Sequence, residues 1–456
     1  MRKRILGGLA LALGLAAPAF AFQFAALFGL VKGDIDRAVG YVHDVMSIVN
    51  QKYVDPKAAN FSDLARNAIH GMVESLDPHS EFLEKKDNDE LAEDLSGEFG
   101  GVGIQVEVRA GKVLVIEPMD NTPAARAGIV RGDEIVSIDG HPVAGSGAMD
   151  MVVDRLRGKP HTHVALAVYR PQAQKSFTVD LEREIIKVDS VIDARVVDDD
   201  IGYVLVTEFS EHTGEQFAAA VDKLLKKNIN SLIIDLRNNP GGTLDAAVEV
   251  SEPFFHKGDL IVSTKGRQAE DNAEFRSEAD GDPLDLPVAV LINQDTASAA
   301  EIVTGALKDT GKAVVIGERS FGKGSVQTII DFKTGDGLRL TTAKYYTPSG
   351  VSLHEKGVTP EVEVVLSPDE DDKIRQQQVR PDITDPADFK ARFGFTPIDD
   401  RQLDAAVAVL RGLEVLESQA ASAAHAGSPH PANVSYVPAI DSGNVKISGR
   451  PPRNRG

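Results

Sequence analysis

The sequence contains no cysteine. A chain without thiols forms no disulfide and provides no ligands for an iron–sulfur cluster or a cysteine-bound zinc. It also offers no thiol nucleophile, so any covalent catalysis by this protein must use another nucleophilic side chain.

Positive charge is scarce as well, since 49 lysines and arginines stand against 69 aspartates and glutamates and the formal net charge is −20 at pH 7. An acidic surface repels phosphate backbones, which excludes sequence-independent binding of nucleic acid. The apolar share of 42% and the charged share of 26% are ordinary for globular proteins and exclude a disordered chain or a multipass membrane protein. The 456 residues leave room for about three domains.

The long apolar run of the chain lies at its N-terminus. Arg2-Lys3-Arg4 precede an apolar stretch from Ile5 to Ala17, and Ala19-Phe20-Ala21 offers an A-x-A cleavage site. This pattern predicts a secretory signal peptide over residues 1–21 and an exported protein, located in a bacterial periplasm. Because the apolar stretch continues through residues 22–31, an uncleaved N-terminal membrane anchor is the alternative.

Hydrophobic periodicity divides the following residues into two parts. Residues 34–86 show the spacing of amphipathic helices, whereas residues 87–182 alternate in short strands separated by glycine turns. Within the second part, residues 99–104 (FGGVGI), 123–129 (PAARAGI) and 131–135 (RGDEI) resemble a PDZ domain in content and order. A glycine loop before a strand leaves N–H groups free to bind a terminal carboxylate. The predicted peptide-binding residues are Gly101, Val102, Gly103 and Ile104.

Residues 183–366 alternate between apolar strands and helices. Strands such as 231–236 and 288–292 read as buried on both faces, and the helices between them imply parallel pairing through crossovers. This part is therefore predicted to be an α/β core. An acidic run and an isolated helix are expected in residues 367–418, and the composition of residues 419–456 predicts a disordered tail.

Sites for metals or nucleotides are not evident. His161 and His163 share a strand face without a third ligand, and neither an H-E-x-x-H nor a G-x-S-x-G motif occurs. Residues 317–323 (GERSFGK) are similar to a phosphate-binding P-loop, but Gly324 stands where the magnesium-binding hydroxyl is needed. We therefore expect a protein without metal or cofactor.

Ser298 is the candidate nucleophile. It lies between a buried strand and a helix, a junction that projects a side chain at the carboxyl end of a parallel sheet. Ser298 and Glu301 also fit a helix capping box, which is the alternative explanation. Lys323 follows the next strand between two glycines, a setting typical of an exposed turn, but parallel pairing would bring it to the same sheet edge as Ser298. Gln327 can hydrogen-bond the lysine amine from nearby.

Taken together, these segments resemble the tail-specific, C-terminal processing peptidases, which are serine proteases with a Ser–Lys dyad. The resemblance extends from about residue 34 to residue 366. Besides the PDZ segments, the motifs that carry it are residues 76–80 (LDPHS), 235–242 (DLRNNPGG), 296–301 (TASAAE), 321–327 (FGKGSVQ), 346–350 (YTPSG) and 357–360 (GVTP).

The resemblance implies a fold and a site. The fold is of the mixed α/β class, with a crossover-connected core like those of ClpP and crotonase, an inserted β-rich PDZ domain and helical N- and C-terminal flanks. Ser298 is implied as the nucleophile, Lys323 as the general base and Gln327 as the residue that orients the base. The expected oxyanion hole consists of backbone N–H groups of Ala299 and of Gly241 or Gly242.

The sequence thus predicts an exported serine endopeptidase that recognises C-terminal tails through its PDZ domain. A lysine acts as a base only when its amine is neutral, so burial must lower the pKa of Lys323 from its usual value of about 10.4. The alternative is a catalytically inactive PDZ scaffold that binds protein C-termini. The presence of Ser298, Lys323 and Gln327 together favours the enzyme.

The two helical flanks predict assembly. The N-terminal helix is amphipathic, and in the helix over Leu403–Leu416 the residues Leu403, Val407, Leu410 and Leu413 form an apolar face. Because unburied apolar faces usually find a partner, we expect homo-oligomers formed through these ends. The alternative is that each face packs on its own core. The other expected partners are proteins with exposed C-termini and, as in some relatives, a lipoprotein adaptor.

Overall fold

The computed structural model describes residues 16–143, 148–380 and 383–425. It begins with helices α1 (Ala16–Lys52) and α2 (Phe61–Glu74), followed by strand β1 (Glu81–Leu83) and helix α3 (Lys85–Ser96). Of the predicted signal peptide, residues 1–15 lie outside the described part and residues 16–21 are the first residues of α1. None of the described helices combines the length and apolarity needed to cross a membrane.

A β-rich domain follows. Its elements are β2 (Glu98–Gly101), β3 (Ile104–Arg109), β4 (Lys112–Pro118), α4 (Pro123–Arg126), β5 (Glu134–Ile138), β6 (His141–Pro142), α5 (Ala148–Leu156), β7 (His163–Arg170), β8 (Lys175–Glu182) and β9 (Glu184–Lys187). The sheet has the order β3-β4-β5-β7-β8 and is antiparallel, and β2 pairs with β9 at its base. Its own core includes the fully buried Val113, Ile138 and Leu166. The strand-rich segment is predicted to begin at residue 87, but residues 87–96 belong to helix α3.

The core of the protein contains two sheets. Its elements in chain order are β10 (Val191–Val197), β11 (Ile201–Val206), α6 (Thr213–Leu225), β12 (Ser231–Asp235), α7 (Leu244–Ser251), β13 (Leu260–Gly266), β14 (Ala273–Arg276), β15 (Val288–Ile292), α8 (Ala299–Asp309), β16 (Ala313–Gly317), β17 (Ser325–Asp331), β18 (Gly337–Tyr346) and β19 (Val362–Glu363). The larger sheet has the order β10-β11-β12-β15-β16-β19 and is parallel apart from β10. The predicted mixed α/β class with a parallel core is confirmed.

Both faces of the parallel sheet are covered by helices, and its strands accordingly carry apolar side chains on both faces. Every residue of β11, β12 and β15 is buried. Helices α6, α7 and α8 pack on one face through side chains such as Phe217, Val250 and Ile302. Such a sandwich hides the sheet itself and leaves only its carboxyl edge open for chemistry.

The smaller sheet receives a strand from the N-terminal region. Its order is β1-β18-β13-β14, with β17 also paired to β18. Strand β1 pairs antiparallel with β18, so Phe82 lies opposite Leu338. The PDZ-like domain is therefore an insertion between two parts of the core. The first of these parts, strand β1, falls within residues 34–86, which the sequence pattern assigned to a separate helical region.

The C-terminal flank consists of α9 (Pro368–Gln378), α10 (Pro386–Phe393) and α11 (Arg401–His425). Helix α11 packs on the second face of the parallel sheet, where Ala406 and Leu410 are fully buried. The other residues of the predicted apolar face pack on the same face of the sheet, namely Leu403, Val407 and Leu413. The expectations that this helix is isolated and that its apolar face serves assembly are therefore wrong, and the helix also runs past residue 418. Residues 426–456 of the predicted tail lie outside the described part.

Candidate active site

Ser298 stands at the carboxyl edge of the parallel sheet, directly before α8. Its φ of 54° and ψ of −116° are unusual for a side chain other than glycine. Hydrogen bonds hold the preceding turn in place: Thr296 Oγ1 donates to Leu236 O at 2.8 Å, and Ala297 N donates to Asn239 O at 2.9 Å. The turn is thus fixed to the end of β12, which stabilises the strained backbone that presents the serine.

Gly241 provides the space around Ser298. A Cβ atom on Gly241 would lie 2.6 Å from Ser298 Cβ and 2.9 Å from Ala299 N, so only glycine fits there. The N–H of Gly241 donates to Asn239 Oδ1 at 2.9 Å and is therefore occupied. Within the described ranges, the N–H groups of Ala299 and Gly242 have no hydrogen-bond acceptor. Of the three predicted oxyanion residues, these two have N–H groups available.

Lys323 lies in the loop that follows β16 at the same sheet edge. Gly322 adopts a φ of 94°, and a Cβ atom on Gly324 would lie 2.1 Å from His354 N, so both glycines are needed for the loop to fit. Burial lowers the pKa of Lys323, the Arg339 charge lowers it further, and Glu301 opposes the shift. This is the direction that a lysine base requires.

No hydrogen bond joins Ser298 Oγ to Lys323 Nζ, and the lysine amine has no partner within the part of the chain that the structure describes. In the free state of an enzyme, catalytic hydrogen bonds are often long and form only with bound substrate. The structure therefore places the predicted nucleophile and the predicted base at one edge of the sheet without joining their reactive atoms.

Glu301 connects the two backbones. Its buried carboxylate accepts hydrogen bonds from Ser298 N at 3.0 Å, from Lys323 N at 2.8 Å, from Gly322 N at 2.7 Å and from Ser320 Oγ at 2.5 Å. Burial raises the pKa of Glu301, and the hydrogen bonds oppose that shift. Sequence reasoning identifies Glu301 only as a capping residue; the S-x-x-E spacing is the available signal, but it does not reveal the second set of donors.

Gln327 lies on β17 opposite Thr341 of β18. Its Nε2 donates to Thr341 Oγ1 at 2.9 Å and to Ser325 Oγ at 3.1 Å. It makes no hydrogen bond to Lys323 among the described residues. The predicted direct contact between Gln327 and the base is therefore absent in this conformation.

The segment before β1 also reaches this site. The pKa of His79 is lowered by burial and then by the charge of Lys323, which places the imidazole in the electrostatic environment of the lysine amine. Arg339 Nε donates to His79 O at 3.2 Å, and Thr341 N donates to Ser80 Oγ at 3.1 Å. The LDPHS motif at residues 76–80 contributes to the family resemblance, but sequence reasoning gives it no role at the site.

The PDZ-like domain contains an apolar cavity of about 140 Å³. It lies between β3 and α5 and is lined by Phe99, Val102, Gly103, Ile104, Val106, Val152, Val153, Leu156 and Arg157. Three of the four predicted peptide-binding residues line it, and Gly101 does not. The guanidinium of Arg157 lies 4.6 Å from the centre of the Phe99 ring. Such a cavity suits one apolar side chain at the end of a peptide.

Two histidines of the β-rich domain, His161 and His163, are paired with carboxylates. His161 Nδ1 lies 2.8 Å from Glu182 Oε1, and His163 Nδ1 lies 2.8 Å from Asp180 Oδ2. In residues 16–143, 148–380 and 383–425, no group of three or more histidine, aspartate or glutamate side chains is arranged to hold a metal ion.

Comparison with known proteins agrees with this architecture. The model of "Peptidase family S41" matches residues 200–364, and that of "PDZ domain" matches residues 100–181. A carboxy-terminal-processing protease of Bartonella bacilliformis is 40% identical over 385 residues, which cover 81% of this chain and 87% of the relative. A probable CtpA-like serine protease of Staphylococcus aureus is 36% identical over 347 residues, covering 76% and 68%. Among solved structures, a photosystem II D1 C-terminal processing protease is 28% identical with a TM-score of 0.42, covering 71% of this chain and 92% of that one.

Proposed function

Because the chain belongs to peptidase family S41 and is a carboxy-terminal-processing serine protease with a PDZ domain, we propose that it is exported and cleaves proteins whose free C-terminal tail its PDZ domain has bound. The observation that carries the assignment of catalytic residues is the Glu301 carboxylate. It accepts hydrogen bonds from the backbone of Ser298 and of Lys323 and so holds the nucleophile-bearing turn against the base-bearing loop.

In the proposed mechanism, the neutral amine of Lys323 removes the hydroxyl proton of Ser298 as Oγ attacks the scissile carbonyl. The N–H groups of Ala299 and Gly242 stabilise the oxyanion of the tetrahedral intermediate. The ammonium of Lys323 then gives its proton to the leaving amine, and the C-terminal fragment departs. Water, deprotonated by the same amine, hydrolyses the remaining ester and regenerates Ser298.

The PDZ domain supplies selection in this proposal. The loop at residues 101–104 binds the terminal carboxylate through backbone N–H groups, and the apolar cavity accepts the last side chain. A substrate that is held by its end presents an upstream peptide bond to Ser298. Proteins with apolar, unstructured C-termini are therefore the proposed substrate class.

Location and assembly are further parts of the proposal. The basic residues before the apolar N-terminal stretch favour export to a bacterial periplasm. Helix α1 leaves large apolar side chains exposed, among them Ile35, Val39, Val42, Val45 and Ile48. We propose that these side chains mediate homo-oligomerisation, with a lipoprotein adaptor as the other candidate partner. Light scattering of the purified protein tests the first idea, and a strict monomer would contradict it.

The activity is tested with peptides that end in a free carboxylate. We expect wild-type protein to cleave them, and Ser298→Ala and Lys323→Ala to lose at least about 10³-fold in kcat, because each removes a reacting group. Lys333→Ala is the matched control, since Lys333 is an exposed lysine in the turn between β17 and β18. Equal cleavage by all four proteins would reject the assignment of Ser298 and Lys323.

A further inference from the structure

A row of polar groups connects Gln327 with Asp77, which lies far away in the sequence. Gln327 Nε2 lies 2.9 Å from Thr341 Oγ1, the hydroxyl oxygens of Thr341 and Ser80 lie 3.4 Å apart, and Ser80 Oγ donates to Asp77 Oδ2 at 2.8 Å. Ser80 is only 3% exposed, and Asp77, Thr341 and Gln327 are half-buried, so the row is partly shielded from water.

The far end of the row is a carboxylate with a fixed orientation. Asp77 Oδ1 accepts hydrogen bonds from His79 N at 2.8 Å and from Ser80 N at 2.9 Å, which leaves Oδ2 for the Ser80 hydroxyl. Burial raises the pKa of Asp77, but these hydrogen bonds and one from the Thr341 side chain together outweigh burial, and the pKa is lowered. The carboxylate is therefore ionised at neutral pH and only accepts protons in hydrogen bonds.

This acceptor sets the direction of every hydrogen bond in the row. Ser80 has one hydroxyl proton and gives it to Asp77, so the Ser80 oxygen can only accept from Thr341. Thr341 has likewise one proton, and with that proton directed at Ser80 or at Asp77 its oxygen accepts from Gln327. The contact of Thr341 Oγ1 with Gln327 Nε2 at 2.9 Å is shorter than that with Gln327 Oε1 at 3.3 Å, in agreement with this direction.

This direction of the hydrogen bonds fixes the orientation of the side-chain amide of Gln327. Its second Nε2 proton is donated to Ser325 Oγ at 3.1 Å, so both donor positions are used. The carbonyl oxygen Oε1 is then the group that remains for a further partner. An acceptor is what the protonated amine of Lys323, on the loop that leads into β17, can bind.

We propose that Asp77, Ser80 and Thr341 are positioning residues that fix the amide of Gln327 with its carbonyl oxygen available to Lys323. The proposal rests on the proposed function, because it assigns to Lys323 the role of base. It also explains why the LDPHS motif at residues 76–80 lies beside the site, since the pairing of β1 with β18 brings Ser80 to Thr341 and so completes the row.

The test is the pH dependence of kcat in Thr341→Val and Ser80→Ala. A carbonyl that accepts a hydrogen bond from the ammonium favours the charged form, so losing it lowers the pKa of Lys323. We expect the midpoint of the alkaline rise to move to lower pH, with kcat on the plateau reduced about tenfold and KM within about twofold of wild type. If the row only packs the strands together, its loss lets water reach Lys323. The lysine amine is then less desolvated, its pKa rises, and the midpoint moves to higher pH. That shift, or an unchanged profile, would overturn the proposal.

Neighbouring residues supply the controls. The hydroxyl of Thr342 pairs with that of Thr328 at 2.7 Å on the same two strands, outside the row. Thr342→Val removes an equivalent hydroxyl, and we expect it to retain the wild-type pH profile. Thr341→Ser restores the hydroxyl and should recover the wild-type midpoint. Thermal melts of all variants show whether they fold.

A second measurement does not require turnover. The ammonium of Lys323 can be titrated by NMR in lysine-labelled protein, with its signal assigned by its loss in Lys323→Arg. We expect its pKa to be lower in Thr341→Val than in wild type and unchanged in Thr342→Val. Failure of wild-type protein to cleave peptides would contradict the proposed function, whereas equal amine titrations in all variants would contradict the positioning row.

Discussion

At the scale of the residue, a buried carboxylate holds the site together. Ser298 and Lys323 lie on separate loops, and Glu301 accepts hydrogen bonds from the N–H groups of both. Two further donors, Ser320 Oγ and Gly322 N, use the other carboxylate oxygen. A carboxylate acts only as a hydrogen-bond acceptor and can therefore bind all four donors. The side-chain amide of a glutamine at this position would direct its NH₂ group toward some of these donors.

Glu301→Gln hardly changes the size of the side chain, but we expect it to impair catalysis. Each buried donor that faces the amide NH₂ loses its acceptor at a cost of about 1–3 kcal/mol, and kcat should fall about 10–100-fold. Because the Glu301 charge opposes the lowering of the Lys323 pKa, its removal should also shift the alkaline midpoint of the pH–rate profile to lower pH. Steady-state kinetics measures both effects. Glu355→Gln is the control, since that side chain is 85% exposed, and an effect as large there would contradict the role of Glu301.

The sequence predicted part of this site. Ser298 and Lys323 are recognisable because each follows an apolar strand in a characteristic motif. The contacts of Glu301 with Lys323 and of Gln327 with Thr341 join segments that approach only in the folded chain. Neither periodicity nor local spacing encodes such contacts, and the expected hydrogen bond between Gln327 and Lys323 rests on their proximity in the sequence and on the family resemblance.

At the scale of the element, the C-terminal flank is part of the core. Arg237, at the end of β12, is buried and forms ion pairs with Asp235 at 2.6 Å and with Asp400 at 2.7 Å. Asp400 directly precedes α11, and Gln402 Oε1 accepts from Arg237 Nη1 at 3.0 Å. These contacts fix the start of α11 where its apolar face can cover the parallel sheet.

Arg237→Met should therefore destabilise the whole core. The substitution leaves the buried carboxylate of Asp235 and the half-buried one of Asp400 without their cation, and breaking a buried ion pair from one side costs about 3–5 kcal/mol. Urea unfolding measures the loss. Arg401→Met removes the arginine that follows Asp400, whose ion pair with Glu370 is exposed, and should cost about 0–1 kcal/mol. Equal midpoints for the two variants would contradict the stabilising role of Arg237.

Strands and helices were predictable from the sequence where their burial produces a regular hydrophobic pattern. Strands such as β12 and β15 read as continuous apolar runs because both of their faces are covered. Helix α3 has no buried residue and hence no apolar stripe, so periodicity does not separate it from the strand-rich segment that follows. Strands β1 and β19 are three and two residues long, and their pairing depends on distant partners that no local signal reveals.

At the scale of the whole molecule, the proposed sites of recognition and cleavage lie in different parts of the chain. The apolar cavity lies in the inserted domain, whereas Ser298 and Lys323 lie in the core. Selectivity for tails should therefore be separable from the chemistry of cleavage.

Val153→Lys tests this separation. Val153 lines the cavity and is 38% exposed, so a lysine there can fill the opening without disturbing the domain core. We expect the ratio of kcat/KM for peptides with a free, apolar C-terminus to that for their amides to fall about tenfold, which corresponds to about 1.4 kcal/mol. Cleavage of the amidated peptides should stay unchanged. Val136→Lys is the control, because Val136 is 44% exposed and lies outside the cavity, and its ratio should equal that of wild type.

The pairing of β1 with β18 has a consequence for biosynthesis. Ser80 and Thr341 are 261 positions apart, so a nascent polypeptide contains the serine hydroxyl of residue 298 well before the strand that receives β1 has been translated. Truncated products that end before residue 337 contain Ser298, the proposed nucleophile, but lack β18 and so cannot pair β1. The order of synthesis thus delays completion of the smaller sheet, and with it the row from Asp77 to Gln327, until Ser298 has been made.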